Sequence, residues 1–261
     1  MATSGKTTIT GHLTELRDRL MRSVAAIVIT TVIAFIFANQ IFDIITFKAE
    51  FLRPIFNFIT DDLHLFPPPT VHLIAIEMTE NFTVFFQVCL AAGIILAMPY
   101  LIFELVMFVT PALTSKEKKY VLLILPWVAS MFIIGVAFAY FILLPPAISF
   151  LLNFGTDIAA TQVRIGNYVS VVARLLLAIG LVFELPVLIT FLARIGVVSP
   201  QWLSSKRKWA VILCFVVGGI ITPTPDPINQ SLVSVPLYLL YETSIWLARL
   251  VYKKKPKAAM L

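Results

Sequence analysis

Charge is scarce in this chain. Asp, Glu, Lys and Arg make up 13% of its 261 residues, against about 25% in a typical soluble protein. Hydrophobic residues fill 59% of the sequence, and the mean hydropathy is +0.95. That balance excludes a soluble globular fold and places the chain in a membrane. Cysteine is sparse too: Cys89 and Cys214 both fall inside apolar runs, with no CxxC and no neighbouring histidine. A disulfide framework or a cysteine-bound metal therefore has no residues to work with, and buried inert thiols are expected. Histidine occurs three times, at His12, His64 and His72, always outside the apolar runs. The sequence also lacks HExxH, GxSxG, a glycine-rich phosphate loop and a DxxD pair. An intramembrane protease needs a nucleophile and base, or metal ligands, at membrane depth, and neither set is present. We expect no enzyme activity, no cofactor and no metal.

Long apolar runs are what the chain has instead. Six stand out, over residues 21–38, 82–109, 121–144, 169–195, 209–221 and 232–247. Runs of this kind cross the ~30 Å hydrocarbon core as helices. The expected fold is an all-α polytopic membrane protein, one domain over residues 1–261, with six transmembrane helices. The fifth run gives only ~20 Å of helix at 1.5 Å per residue, so the bilayer thins there or the flanking basic residues snorkel. Pro99, Pro126, Pro186 and Pro236 lie inside runs and each removes a backbone donor, which favours bent helices. Between Asn39 and Glu80 a long connection carries "FPPPT", which is incompatible with regular helix. The polar first twenty residues, with no small-residue cleavage site after the first run, predict no cleaved signal peptide and no transit peptide.

The excess of basic residues follows one side of the membrane. With a cytoplasmic N-terminus, the inner segments hold Lys6, Arg17, Arg19 and Arg22; Lys116, Lys118 and Lys119; Arg194, Lys206, Arg207 and Lys208; and Arg249, Lys253, Lys254, Lys255 and Lys257. The outer segments hold Lys48, Arg53 and Arg164. This asymmetry predicts both termini in the cytoplasm. It accounts for the net charge of +6 without nucleic acid as a partner.

Acidic residues are few enough to take singly. In "HLTELRDRL", helical spacing puts Leu13, Leu16 and Leu20 on one stripe and Glu15, Arg19 and Arg22 on another. Glu15 there fits an interfacial helix with an internal Glu15–Arg19 pair. Glu117 is a lone acid among lysines in "TSKEKK", and Glu104 lies near the inner end of the second run, within reach of the same surface. Glu184 sits in the apolar stretch "AIGLVFELPVLIT", where a carboxylate is costly and usually functional. Arg174 cannot serve it. Ten residues along one helix separate the two by ~15 Å axially and about 80° around the axis.

At "HLTELRDRL" the chain resembles the TatC family, the large integral-membrane subunit of the twin-arginine protein translocase. The resemblance continues through "FVTPALTSKEKK", "GVAFAYFILLP", "FELPV", "VVGGIITPTPDP" and "VPLYLLYE", in the family's order, from Gly11 to about Arg249. It implies six helices in a cupped, concave bundle with short helices 5 and 6. It also implies a signal-peptide receptor and core translocase subunit, which exports folded proteins across the cytoplasmic membrane on the proton-motive force. The implied partners are single-span TatA/TatB-type subunits, twin-arginine signal peptides, membrane lipids and further copies in an oligomeric complex. By the same resemblance Glu15 and Glu117 accept the two signal arginines, with Arg17, Phe108 and Glu104 as neighbours on the cytoplasmic face. Glu184 matches the family's intramembrane glutamate, a docking point for partner or signal, and Pro54 and Asp226 match functional positions in outer loops. The residues alone leave open an ion-coupled small-solute transporter using Glu184 and Arg174, or a passive scaffold. Against the transporter stand the isolation of those two charges and the lack of an unwound Gly-rich half-helix at midspan.

The topology is testable by labelling. Single cysteines near Asp61, Asp157 and Asp226 should react with an impermeant reagent added outside, and those near Glu117 and Lys206 should not. Reversed labelling at any of these loops would overturn the orientation.

Overall fold

In hydrocarbon a backbone amide or carbonyl finds no water, so an apolar run is stable only where its own helix satisfies it. The computed structural model describes residues 9–58, 72–109, 115–153, 162–194, 196–222 and 227–252. Helix α1 spans Ile9–Ile36. After it come the short α2 (Ala38–Ile45), a 3-10 turn at Glu50–Leu52 and α3 (Arg53–Asn57). Strand β1 (Leu73–Ile74) leads to α4 (Glu80–Val109). Next, α5 (Ser115–Phe138) runs through a π-helical turn, Ala139–Leu143, into α6 (Leu144–Asn153). Strand β2 (Val163–Arg164) opens onto α7 (Ile165–Val182), followed by α8 (Leu185–Arg194). The chain closes with α9 (Pro200–Ser205), α10 (Arg207–Ile221) and α11 (Pro227–Val251).

Among the described residues, five segments are long and apolar enough to cross a membrane: Leu13–Ile36, Glu80–Phe108, Pro126–Asn153, Ile165–Arg194 and Pro227–Val251. The remaining expected span, fifth in chain order, is α10, whose 15 residues give about 22 Å of helix. A short fifth helix is what the sequence implied. The expectation of a short sixth holds only for its apolar part. Polar residues such as Asn229 and Gln230 extend the helix ahead of the apolar run, and α11 reaches 25 residues.

Proline acts differently at each site. Helices α4, α5 and α11 continue through Pro99, Pro126 and Pro236. The third run, expected to end at Leu144, instead continues past Pro145 and Pro146 to Asn153. A wider π turn just before two prolines relieves the clash of their rings with preceding carbonyls, so the rod survives. At Pro186 the helix does part: Phe183 and Glu184 lie between α7 and α8. Pro186 has no N–H to return to the carbonyl of Val182.

Lipid tails are as apolar as leucine, so close packing and polar contacts hold these helices together. Gly93 lets α1 and α4 approach until a Cβ there would overlap Thr31 Oγ1 and come within 2.7 Å of the Thr31 Cα. Beside it the Thr30 hydroxyl donates to the Gly93 carbonyl at 2.8 Å. Between α5 and α7, Gly180 accommodates the Phe132 ring and Gly135 accommodates Phe183. The buried core, including Phe132, Val169, Val172, Leu175 and Ile179, lies where α4, α5 and α7 meet. Beside it, α2, α4, α5 and α7 leave an apolar recess of about 550 Å³, the hollow expected of a concave bundle. Helix α8 packs on α11 and α11 on α10.

The end of the bundle that holds α2, α3 and the strands is closed by polar links. The Tyr140 hydroxyl donates to the Ile44 carbonyl at 2.6 Å, and the Tyr168 hydroxyl to the Ile45 carbonyl at 2.7 Å. Strands β1 and β2 pair in parallel, Leu73 with Val163 and Ile74 with Arg164. Buried Glu80 accepts from Arg164 Nε at 2.7 Å, from the Gly166 amide at 3.1 Å and from the Ile76 amide at 2.8 Å. Glu80 and Glu77 hold the Arg164 guanidinium above its ordinary pKa.

Gly93→Leu should force α1 from α4 and lower the thermal midpoint in detergent by the equivalent of about 1–3 kcal/mol. Gly219→Ala, whose Cβ meets the amide end of Gln230 at 3.0 Å and no backbone, should change the midpoint far less. Equal midpoints for the two variants would show that the α1–α4 seam is loosely packed.

Candidate functional site

The opposite end of the bundle carries the start of α1 and the end of α4. Helical spacing in "HLTELRDRL" brings Arg19 one turn beyond Glu15. Arg19 Nε and Nη2 both donate to Glu15 Oε1, at 3.0 and 2.7 Å. The third arm, Nη1, donates to Glu104 Oε2 at 2.9 Å. On α4 the same one-turn spacing sets Tyr100 under Glu104, and its hydroxyl donates to Oε1 at 2.8 Å. The side chain of Glu104 is 4% exposed, Arg19 17% and Glu15 30%. Both oxygens of Glu104 are therefore engaged and shielded. Glu15 Oε2 accepts no hydrogen bond among the described residues, and Glu15 lines a shallow recess of about 540 Å³ with Asp18 and Arg22. Among the described residues, Oε2 of Glu15 is the oxygen of these two carboxylates left without a hydrogen bond, and it offers a further cation an acceptor.

The other expected residues divide. Arg17 is exposed and pairs with Asp18 at 3.1 Å. Phe108 is half-buried one turn beyond Glu104. Glu117 lies in the first turn of α5, and its side chain falls outside the described residues. Pro54 is exposed in the first turn of α3, and Asp226 is outside the described residues. Pro54 does not join the α1–α4 cluster. Arg19 was read from the sequence only as an internal partner of Glu15. Its link to Glu104, 85 residues away, has no local signal.

Glu184 forms a second centre at the α7–α8 break. It faces an apolar recess of about 360 Å³ with Leu105 and Val106 of α4, Val128 of α5 and Leu188 of α8. The backbone of Phe132 is its polar neighbour, yet neither carboxylate oxygen forms a hydrogen bond among the described residues. Arg174 points elsewhere, exposed on α7, as the helical geometry required. The break is a two-residue turn at Phe183 and Glu184, where both amides still find carbonyls, at 3.0 and 3.1 Å, and it is made by Pro186 and not by glycine.

Similarity to known proteins decides between translocase and transporter. Residues 11–236 match the family model described as Sec-independent protein translocase protein (TatC). The chain belongs to the TatC family. TatC of Desulforapulum autotrophicum is 38% identical over 250 residues, covering 96% of this chain and 87% of that one. TatC of Aquifex aeolicus is 38% identical over 249 residues, 95% of this chain and 97% of its own. A solved crystal structure of the twin arginine translocase receptor TatC superposes with a TM-score of 0.73 at 37% identity, covering 92% of this chain and 99% of its own. A second structure of that receptor, in DDM, gives 0.74 at 36% identity. The chain is thus a multi-pass membrane protein with the TatC fold, and helix continuity no longer bears on the choice.

In this TatC chain the unpartnered Glu184 carboxylate is a cost to the fold, and a buried polar group without a partner costs about 1–3 kcal/mol. Glu184→Met should raise the thermal midpoint of the isolated protein in detergent. A lower midpoint would mean that the carboxylate has a partner within the fold.

Proposed function

We propose that the chain is the signal-peptide receptor of a twin-arginine translocase, lying in the cytoplasmic membrane with both termini in the cytoplasm. It is a transport subunit and not an enzyme. The supporting observation is the outward oxygen of Glu15, fixed by Arg19 at the end of the bundle where the basic residues collect. In this reading Glu15 and Glu117 accept the two signal arginines, and Arg17 and Phe108 line the same face. Glu184 docks a polar group of a single-span TatA/TatB-type subunit or of the inserted signal, and Pro54 and Asp226 act in the outer loops. The complex holds several copies of the chain, and folded proteins cross on the proton-motive force.

Energetics divide the work. Exposed ion pairs contribute about 0–1 kcal/mol each, while micromolar binding takes about 8 kcal/mol. Two arginines therefore select, and the apolar segment of the signal supplies most of the hold. A planar guanidinium forks onto a carboxylate, which an ammonium cannot copy.

A titration of detergent-solubilised protein with Arg-Arg and Lys-Lys signal peptides tests this at two salt concentrations. Wild type should prefer Arg-Arg, and Glu15→Ala or Glu117→Ala should shrink that preference. Added salt should weaken wild type more than either variant, because exposed pairs are screened beyond about 8–10 Å. An undiminished Arg-Arg preference in both variants would show that the arginines are read elsewhere.

A further inference from the structure

Arg19 occupies the place a ligand would take. Its Nη1 donates to one oxygen of Glu104, and the Tyr100 hydroxyl donates to the other. An incoming guanidinium cannot reach Glu104, 4% exposed, without first removing Arg19. Glu15 differs, because both arms that Arg19 sends to it end on Oε1. We propose that Arg19 sets the selectivity of the signal site by acting as a built-in arginine on Glu104, which leaves one half-free carboxylate, Glu15, for the signal. Glu104 then never touches the signal. This rests on the reading of Glu15 as an acceptor.

The physical consequence is a controlled charge. Glu15, Glu104 and Arg19 together carry one net negative charge, and its free acceptor has a fixed direction. A directional acceptor favours a planar fork over a point charge. Without Arg19 the two carboxylates would present a doubly negative patch, which attracts ammonium as readily as guanidinium. Without the charge on Glu104 the cluster would be neutral, and any cation would be held less well. Exposed Arg22 and the Arg17–Asp18 pair are common to all these states, so they move the baseline but not the order. A role limited to tying α1 to α4 predicts something else: loss of affinity for every signal, with the preference unchanged.

The test is a double-mutant cycle on the full chain in detergent, with two synthetic signal peptides that differ only in Arg-Arg against Lys-Lys. Arg19→Gln should tighten binding of both peptides and favour the lysine peptide, cutting the Arg-Arg preference about two- to fivefold. Glu104→Gln keeps an acceptor for Arg19 and should weaken both peptides by a similar factor. Arg19→Gln with Glu104→Gln restores one net negative charge, and the preference should return to about that of wild type. Equal weakening by both single variants with the preference intact would overturn the proposal. So would a double variant that keeps the preference of Arg19→Gln. Should Arg19→Gln fail to fold, Arg19→Lys keeps the net charge but loses the fork that fixes Glu15, and should lower the preference without tightening either peptide; an unchanged preference there counts against the proposal. Glu15→Ala separates the two readings. If it abolishes the preference while Arg19→Gln does not, only the role of Arg19 falls. If the preference survives Glu15→Ala, the reading of Glu15 itself fails.

Discussion

A carboxylate in a hydrocarbon surrounding needs a cation, a set of donors or a path to water, and that constraint organises this molecule. Three buried or half-buried glutamates have found an arginine on another part of the chain. Glu104 pairs with Arg19 across α1 and α4, and Glu80 pairs with Arg164 across the α4–α7 end. Glu242 on α11 takes a bidentate fork from Arg207 on α10, at 2.6 and 3.0 Å, with the Tyr238 hydroxyl at 3.0 Å. The first two pairs join segments more than eighty residues apart, and the third ties the consecutive helices α10 and α11. Removing one partner would strand a charge in a poorly hydrated place, a cost of about 3–5 kcal/mol where burial is deep. The pairs therefore fix the helix ends, while glycine contacts such as Gly93 on Thr31 and Gly180 on Phe132 fix the middle.

Against that rule Glu184 stands out. It lies at the same break that Pro186 opens, and its two oxygens are shielded without a hydrogen bond among the described residues. A fold that pairs its other inner carboxylates has not paired this one. The arrangement is what an intramembrane docking point requires: a polar group held at depth, with an apolar recess beside it to receive a helix. The cost of leaving it open is borne by the packing of α7 on α4 and α5.

Much of this was legible in the residues. Scarce charge and six apolar runs gave the helices, and the limited length of "WAVILCFVVGGII" foretold a short α10. The Glu15–Arg19 pair follows from one-turn spacing, and the isolation of Arg174 from Glu184 follows from helix geometry. What was not legible depends on distance in sequence or on local relief. Arg19 reaching Glu104 and Arg164 reaching Glu80 join segments more than eighty residues apart, and no periodicity encodes such a meeting. The helix that continues past Pro145 and Pro146 does so through a π turn, which proline chemistry alone reads as a stop. The two-residue strand pair is likewise a product of loop ends brought together by α4 and α7.

The position of the Glu15 cluster has a consequence for how a bound signal is felt. Helix α1 is the most exposed of the long helices, and its one extensive neighbour is α4. At the terminal end that seam is held by Arg19 on Glu104, and deeper in the bundle by Thr30 and Thr31 on Gly93. Force applied at Glu15 therefore passes first into Arg19 and from there into α4, the helix that also lines the recess of Glu184 through Ile102, Leu105 and Val106. Glu15 on α1 and Glu184 at the α7–α8 break thus share α4 as a neighbour. A ligand that draws on Arg19 alters the pairing of Glu104, and Glu104 sits one helical residue from Leu105. The two proposed sites, Glu15 at the membrane face and Glu184 at depth, are consequently joined by packing alone, with no long-range charge required.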